Sequence, residues 1–224
     1  MLDQAEALRK LADNDGKENQ KNNISKIITV TSGKGGVGKS NFVVNLAITL
    51  QKNGKKVLIF DADLGMGNDD VLMGLYPKHN IFDIIFTDLT LKDIIIEGNE
   101  GVALIPAGSG LNKVHELTEN ERQLFLSKLS ELDEFDYILM DTGAGVSRDI
   151  LAFISASEEL IIITTPEPTS LTDAYSLAKA ADHFKLKDNA KVIVNKAFSK
   201  EEGIETFNKF NRAVTKFLNI KIEY

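Results

Sequence analysis

The 224-residue sequence contains no cysteine. Disulfides, thiolate-held iron–sulfur clusters and cysteine-ligated zinc are therefore excluded. Histidine is scarce too: His79, His115 and His183 stand far apart, without the spacing of a metal-ligand set. No run of eighteen apolar residues occurs, so no membrane-spanning helix is expected. The opening Met1-Leu2-Asp3-Gln4-Ala5-Glu6 has neither the basic nor the apolar segment of a secretory signal, and a cytoplasmic protein is expected. Basic residues are outnumbered, 26 against 33 acids, for a net charge of −7. Coating nucleic acid calls for clustered Lys and Arg, so no nucleic-acid partner is expected.

What is present is a 43% apolar sequence, enough for one globular core. Residues 2–12 read as a short helix, with Ala5, Leu8, Leu11 and Ala12 at helical spacing and Asp3 at the N-cap position. Residues 13–23 contain no apolar side chain and read as a flexible linker spanning about 18 Å. Beyond it, strand and helix patterns alternate. Ile27–Thr31, Lys56–Phe60, Val102–Ile105, Tyr137–Met140, Leu160–Thr164 and Lys191–Val194 are apolar on both faces, as in a parallel sheet covered by helices. Helices are expected over Asn41–Lys52, Glu119–Leu132, Arg148–Ser155, Leu171–Phe184 and Glu201–Leu218. The last places Ile204, Phe207, Phe210, Val214 and Phe217 on one face. The expected fold is a doubly wound, mostly parallel α/β sheet with helices on both faces over residues 24–224, preceded by a tethered arm at 1–23.

Between the first strand and first helix stands Gly33-Lys34-Gly35-Gly36-Val37-Gly38-Lys39-Ser40, an ungapped match to G-x-x-x-x-G-K-[ST]. Glycines let backbone N–H groups turn toward phosphate oxygens, and the following helix start favours negative charge. Lys39 supplies a cation for β- and γ-phosphates, and the Ser40 hydroxyl can ligate Mg²⁺. A lysine directly after the first glycine is not required by such a loop, and Lys34 alone reads equally as a solvated cation. In Ile59-Phe60-Asp61-Ala62-Asp63, Asp61 and Asp63 are two apart on an extended segment and can face one side. They read either as site carboxylates or as capping and surface acids. Tyr137-Ile138-Leu139-Met140-Asp141-Thr142-Gly143-Ala144-Gly145 repeats the pattern of an apolar strand, an acid and a glycine turn. Asn195, after Val194, can pair an adenine edge through both ends of its amide or simply occupy a turn.

Lys34-Gly35-Gly36-Val37-Gly38-Lys39-Ser40 resembles the deviant Walker A motif of the MinD/ParA family of ATPases. The resemblance implies an ATP/ADP- and Mg²⁺-binding ATP hydrolase that forms a nucleotide-sandwiched homodimer. Lys34 would reach the partner's phosphates, and Asp63 would position the attacking water. Asp61 and Asp141 would lie in the Mg²⁺ shell with Ser40, and Asn195 would contact the base. Asn41, where Thr is commoner, completes the nucleotide-contacting run Gly33–Asn41. Asp3-Gln4-Ala5-Glu6-Ala7-Leu8-Arg9 resembles the arm of the FlhG (YlxH, FleN) group, MinD-like ATPases that control flagellar number and placement. That implies an FlhF-type GTPase as partner, with Gln4 and Arg9 as polar contacts and Ala5 and Leu8 as the packing face; a plain amphipathic arm is the other reading. Family sequences continue past the strand at Asn219–Tyr224 into a membrane-binding helix. Here the sequence stops, so a shortened chain is expected, with peripheral membrane association a property of the longer family proteins only. Division-site MinD, a ParA-type partition ATPase and a non-catalytic scaffold remain as alternatives.

Overall fold

A computed structural model describes residues 25–64, 67–107 and 118–224. The arm and linker at 1–23, with Gln4, Ala5, Leu8 and Arg9, lie outside the described residues, as does His115. The described chain forms two compact units that interleave in sequence: residues 25–31 with Gly38–Gly143, and Ser32–Val37 with Ala144–Tyr224.

The first unit carries β1 (Lys26–Ser32), β2 (Val57–Ala62), β3 (Ile96–Glu97), β4 (Ala103–Ile105) and β5 (Tyr137–Ala144), apart from the last residue of β1 and of β5, in the order β3-β4-β2-β5-β1. Strand β2 pairs in parallel with β4 and β5, while β3 adds a two-residue antiparallel edge. Every residue of β2 is buried, so its alternating side chains are covered on both faces. The helices are α1 (Lys39–Lys52), the short α2 (Asp69–Met73), α3 (Ile81–Phe86) and α4 (Leu91–Ile94), and α5 (Glu119–Ser130). Phe60 of β2 packs on Phe125 of α5 with ring centroids 4.6 Å apart. The β2–β5 register sets Asp61 opposite Asp141 and Ala62 opposite Thr142.

The second unit carries α6 (Arg148–Ala156), β6 (Glu159–Thr164), α7 (Pro168–His183), β7 (Asn189–Val194), α8 (Lys200–Phe217) and β8 (Lys221–Glu223). Its strands pair in parallel, β6 to β7 to β8. Ile154, Ile162, Leu177, Val192, Phe210 and Val214 form its apolar core.

The long elements fall where the sequence pattern puts them, and the differences have local causes. Helices α2 to α4 were not expected: each has four to six residues, too few for a helical period to show. End chemistry marks two of them, since Asp83 accepts the Asn80 N–H and Asp93 the Thr90 N–H, both at 2.8 Å. Helix α7 starts at Pro168 and not at Leu171, because proline suits the first helical position. Strand β5 runs on past Asp141 to Ala144, so the turn begins at Gly145 (φ 94°). Helix α8 packs Phe207, Phe210 and Val214 of the predicted face on the core but leaves its ends, Ile204 and Phe217, exposed. Its buried stripe runs through Gly203 and Thr206, and a Cβ on Gly203 would lie only 2.8 Å from the Tyr224 hydroxyl. The small residue leaves room for the Tyr224 side chain.

These burial differences set a test. Phe210→Ala should cost about 3–5 kcal/mol of stability, as for a fully packed phenylalanine. Phe217→Ala, on the same helix, should stay within about 0.5 kcal/mol. Urea unfolding of both variants measures the contrast.

Candidate functional site

The Gly33–Ser40 loop joins β1 to α1, and its two halves belong to different units. In the half ending at Val37, a Cβ on Gly33 would fall 2.1 Å from the Asp173 carbonyl carbon, so only glycine lets the loop leave β1 beside α7. Gly36 has φ 72°, and nothing lies within 4 Å of where a Cβ on Gly35 or Gly36 would project. That open glycine surface is what a phosphate requires. The Lys34 ammonium donates to the Glu167 carboxylate at 2.6 Å and to the Thr169 hydroxyl at 3.0 Å. Lys34 holds the Glu167 carboxyl below its usual range. Asn195 Nδ2 donates to the Val37 carbonyl at 2.8 Å, and Lys196 Nζ to the Gly36 carbonyl at 2.6 Å.

In the other half, Gly38 is the N-cap of α1 at φ 97°, with no side-chain cap and no acid in the first turn. The helix start thus keeps N–H groups available for an anion. Lys39 Nζ lies 3.4 Å from Asp141 Oδ1, with only 11% of the lysine side chain exposed. The Ser40 side chain also hydrogen-bonds the Asp141 carboxyl. Asp141 Oδ1 is buried without a hydrogen-bond partner. Burial raises the Asp141 carboxyl above its ordinary value, against the pull of Lys39 and Ser40. Asn41 follows on the exposed side of α1.

Asp61 accepts the Asp63 N–H on Oδ1 and the Asp69 N–H on Oδ2, both at 3.2 Å. A Cβ on Gly67 would lie 2.5 Å from Asp61 Oδ2, so glycine is needed for the chain to pass. Burial pushes the Asp61 carboxyl up to about 7. Asp61 and Asp63 therefore divide the work: Asp61 is buried and ties the turn, whereas Asp63 is half-buried, with its carboxylate beside Gly143, 3.5 Å from where a Cβ there would project. Asp69, which the sequence reading passed over, is fully buried, and neither of its carboxyl oxygens has a hydrogen-bond partner. Burial, then Asp141 and Asp61, push it up to about 9. Its only sequence signal is an Asp69-Asp70 pair, which reads as ordinary acids of a first helical turn. Glu167 and Lys196 were likewise given no role from sequence, since contact with a loop more than a hundred residues away leaves no local trace.

Comparison with known proteins decides the family. A family model described as an AAA domain matches residues 25–194. The antiactivator FleN of Pseudomonas aeruginosa is 37% identical over 199 residues, covering 88% of this chain and 71% of that protein. The flagellum site-determining protein YlxH of Helicobacter pylori is 39% identical over 202 residues, covering 89% and 68%. The chain belongs to the FlhG (FleN/YlxH) group of MinD/ParA-family P-loop ATP hydrolases. Among solved structures, the septum site-determining protein MinD of Pyrococcus horikoshii, complexed with Mg-ADP, matches with a TM-score of 0.69 at 26% identity, covering 82% of this chain and 77% of that one.

The residues of this ATPase fit a nucleotide and a hard divalent cation. The donors near α1 are all oxygens, from Ser40 and the acids, and Asp141 Oδ1 lacks a hydrogen bond. Among the described residues, no three acid or histidine side chains converge closely enough to enclose a metal ion. Mg²⁺ keeps most of its water and takes ligands from phosphates, so Ser40 and Asp141 would be protein oxygens enough to hold it. Among the described residues, no helix is long and apolar enough to cross a membrane.

Asp69 gives this ATPase a stability signature. The folded protein keeps the Asp69 proton up to about pH 9, whereas the unfolded chain releases it near 3.8. Rising pH between those values therefore favours unfolding. At pH 5, Asp69→Leu should stabilise the nucleotide-free protein by about 1–3 kcal/mol, by replacing an unpaired buried carboxyl with a side chain of similar volume. The gain should widen from pH 5 to pH 8. Thermal melts of both proteins across that range check the size and the slope.

Proposed function

We propose that this chain is a nucleotide-operated dimerisation switch that regulates flagellar number or placement. The observation that carries the nucleotide reading is the open glycine loop running into an uncapped helix start, with Lys39, Ser40 and Asp141 beside it. Identity of 37–39% to an antiactivator FleN and a flagellum site-determining YlxH supports the flagellar role. In this reading the N–H groups from Gly33 to Ser40 and Asn41 surround the phosphates, and Lys39 neutralises their charge. Ser40 and Asp141, with Asp61 behind them, hold Mg²⁺, which when bound supplies positive charge at the phosphate oxygens. Asp63 orients the attacking water. Asn195 gives one Nδ2 hydrogen to the Val37 carbonyl, which leaves its Oδ1 to accept from the adenine amino group and its second Nδ2 hydrogen to donate.

Lys34 leaves Glu167 and Thr169 to reach the phosphates of a second copy, closing an ATP-dependent homodimer. The arm, through Gln4, Ala5, Leu8 and Arg9, presents this state to an FlhF-type GTPase. The alternative of a DNA-riding partition ATPase draws no support from α8, where Lys209 is paired with Glu205 at 2.8 Å and acids alternate with bases.

Size-exclusion chromatography with ADP and with ATP tests the switch. Asp63→Ala should dimerise with ATP while turnover falls by at least about 100-fold, the lower end for a lost proton-handling or water-positioning group. Undiminished hydrolysis in that variant sinks the assignment. Lys39→Ala should lose roughly 10- to 100-fold in ADP affinity, the loss of a charge-assisted hydrogen bond. Lys34→Ala should keep ADP affinity and lose the ATP-dependent dimer; retention of that dimer removes the trans role.

A further inference from the structure

We infer that Asn195 and Lys196 form a backbone clamp that pre-sets the phosphate-facing N–H groups of the Gly33–Ser40 loop. The inference rests on the nucleotide-binding reading of that loop and adds positioning residues to it. In a trans peptide the carbonyl and the following N–H point to opposite sides of the chain. Holding one therefore aims the other. Lys196 Nζ holds the Gly36 carbonyl at 2.6 Å, which turns the Val37 N–H away from β7. Asn195 Nδ2 holds the Val37 carbonyl at 2.8 Å, which does the same for the Gly38 N–H. Two successive donors are thus aimed by two successive residues at one strand end.

The loop needs such help. Gly36 and Gly38 sit at φ 72° and 97°, and glycine lets a peptide plane flip with little steric resistance. The clamp itself is fixed. The Asn195 N–H donates to the Thr164 carbonyl at 2.8 Å, seating the residue on β6. Lys196 adopts φ 57°, left-handed backbone that side-chain-bearing residues seldom take. That turn points its ammonium back at the loop. Val37, between the two held carbonyls, is 3% exposed, so its side chain anchors the same peptides. The Asn195 orientation is set by chemistry, because only the NH₂ end of the amide can donate to a carbonyl.

The clamp is distinguishable from a lysine that touches phosphate. A direct contact to the last phosphate would weaken ATP more than ADP. A clamp acts before nucleotide arrives and weakens both equally. The experiment compares wild type, Lys196→Met and Lys196→Arg by amide NMR of nucleotide-free protein and by fluorescence titration with labelled ADP and ATP. In Lys196→Met, the Val37 and Gly38 amides should shift and broaden. ADP and ATP affinities should fall by a common factor of roughly ten, the loss of a hydrogen bond from a charged donor. Lys196→Arg should restore both signals. Unchanged Val37 and Gly38 amides in Lys196→Met, or a loss confined to ATP, overturn the clamp. If the wild type binds neither nucleotide, the nucleotide reading fails, while the amide comparison still decides the clamp. Melting temperatures within a degree or two of wild type show that any change is local, as expected for an exposed side chain.

Discussion

The contact between the Lys39 ammonium and the Asp141 carboxyl organises everything around it. Both groups are nearly buried, at 3.4 Å, and a buried ion pair needs more than its own attraction to offset desolvation. Here the surroundings make the balance worse. Asp61 sits opposite Asp141 in the β2–β5 register, and both charges act on buried Asp69, where Lys39 is the opposing cation. Ionising all three against one ammonium would leave net buried charge. The strain is relieved by protons, which burial holds on Asp69 up to about pH 9. A divalent cation would relieve it equally well, and the oxygen-only donors suit one.

How much of this was legible in the sequence follows from range. The loop, its strand and its helix are contiguous, and the chemistry of each residue type is local, so Gly33 to Ser40 could be placed from sequence. Asp61 and Asp141 end apolar runs, and parallel pairing sets them side by side. The division between Asp61 and Asp63 could not be read. Spacing of two predicts a shared side, but it does not say that two backbone N–H groups occupy one carboxylate and leave the other half-exposed. Glu167 shows the same limit. It reads as a residue between two prolines, and it is the hydrogen-bond partner of a lysine 133 positions earlier.

The exposed ends of the predicted α8 face make a related point. Periodicity ranks residues by apolarity, whereas packing ranks them by fit. Gly203 and Thr206 are buried on this helix, while Ile204 and Phe217 are left exposed. Sequence patterns predict the existence of such a helix well and the extent of its buried face poorly, since that extent is decided by the neighbour's shape.

The two lysines of the loop differ in a way that matches different tasks. Lys39 is 11% exposed and faces buried acid, so removing it would strand charge in the interior. Lys34 is 38% exposed and its partner Glu167 is 62% exposed, so that pair is screened by water and holds its geometry weakly. An exposed pair exchanges its anion easily, since the lost contact is replaced by solvent or by any better-placed oxyanion. A phosphate carries more charge than a carboxylate and accepts several hydrogen bonds. The buried lysine is thus suited to stay on one nucleotide through a cycle, and the exposed one to change partners between states. The proposed two-state switch would need one fixed charge and one transferable charge, and the seven-residue glycine-rich stretch Gly33 to Lys39 carries a candidate for each.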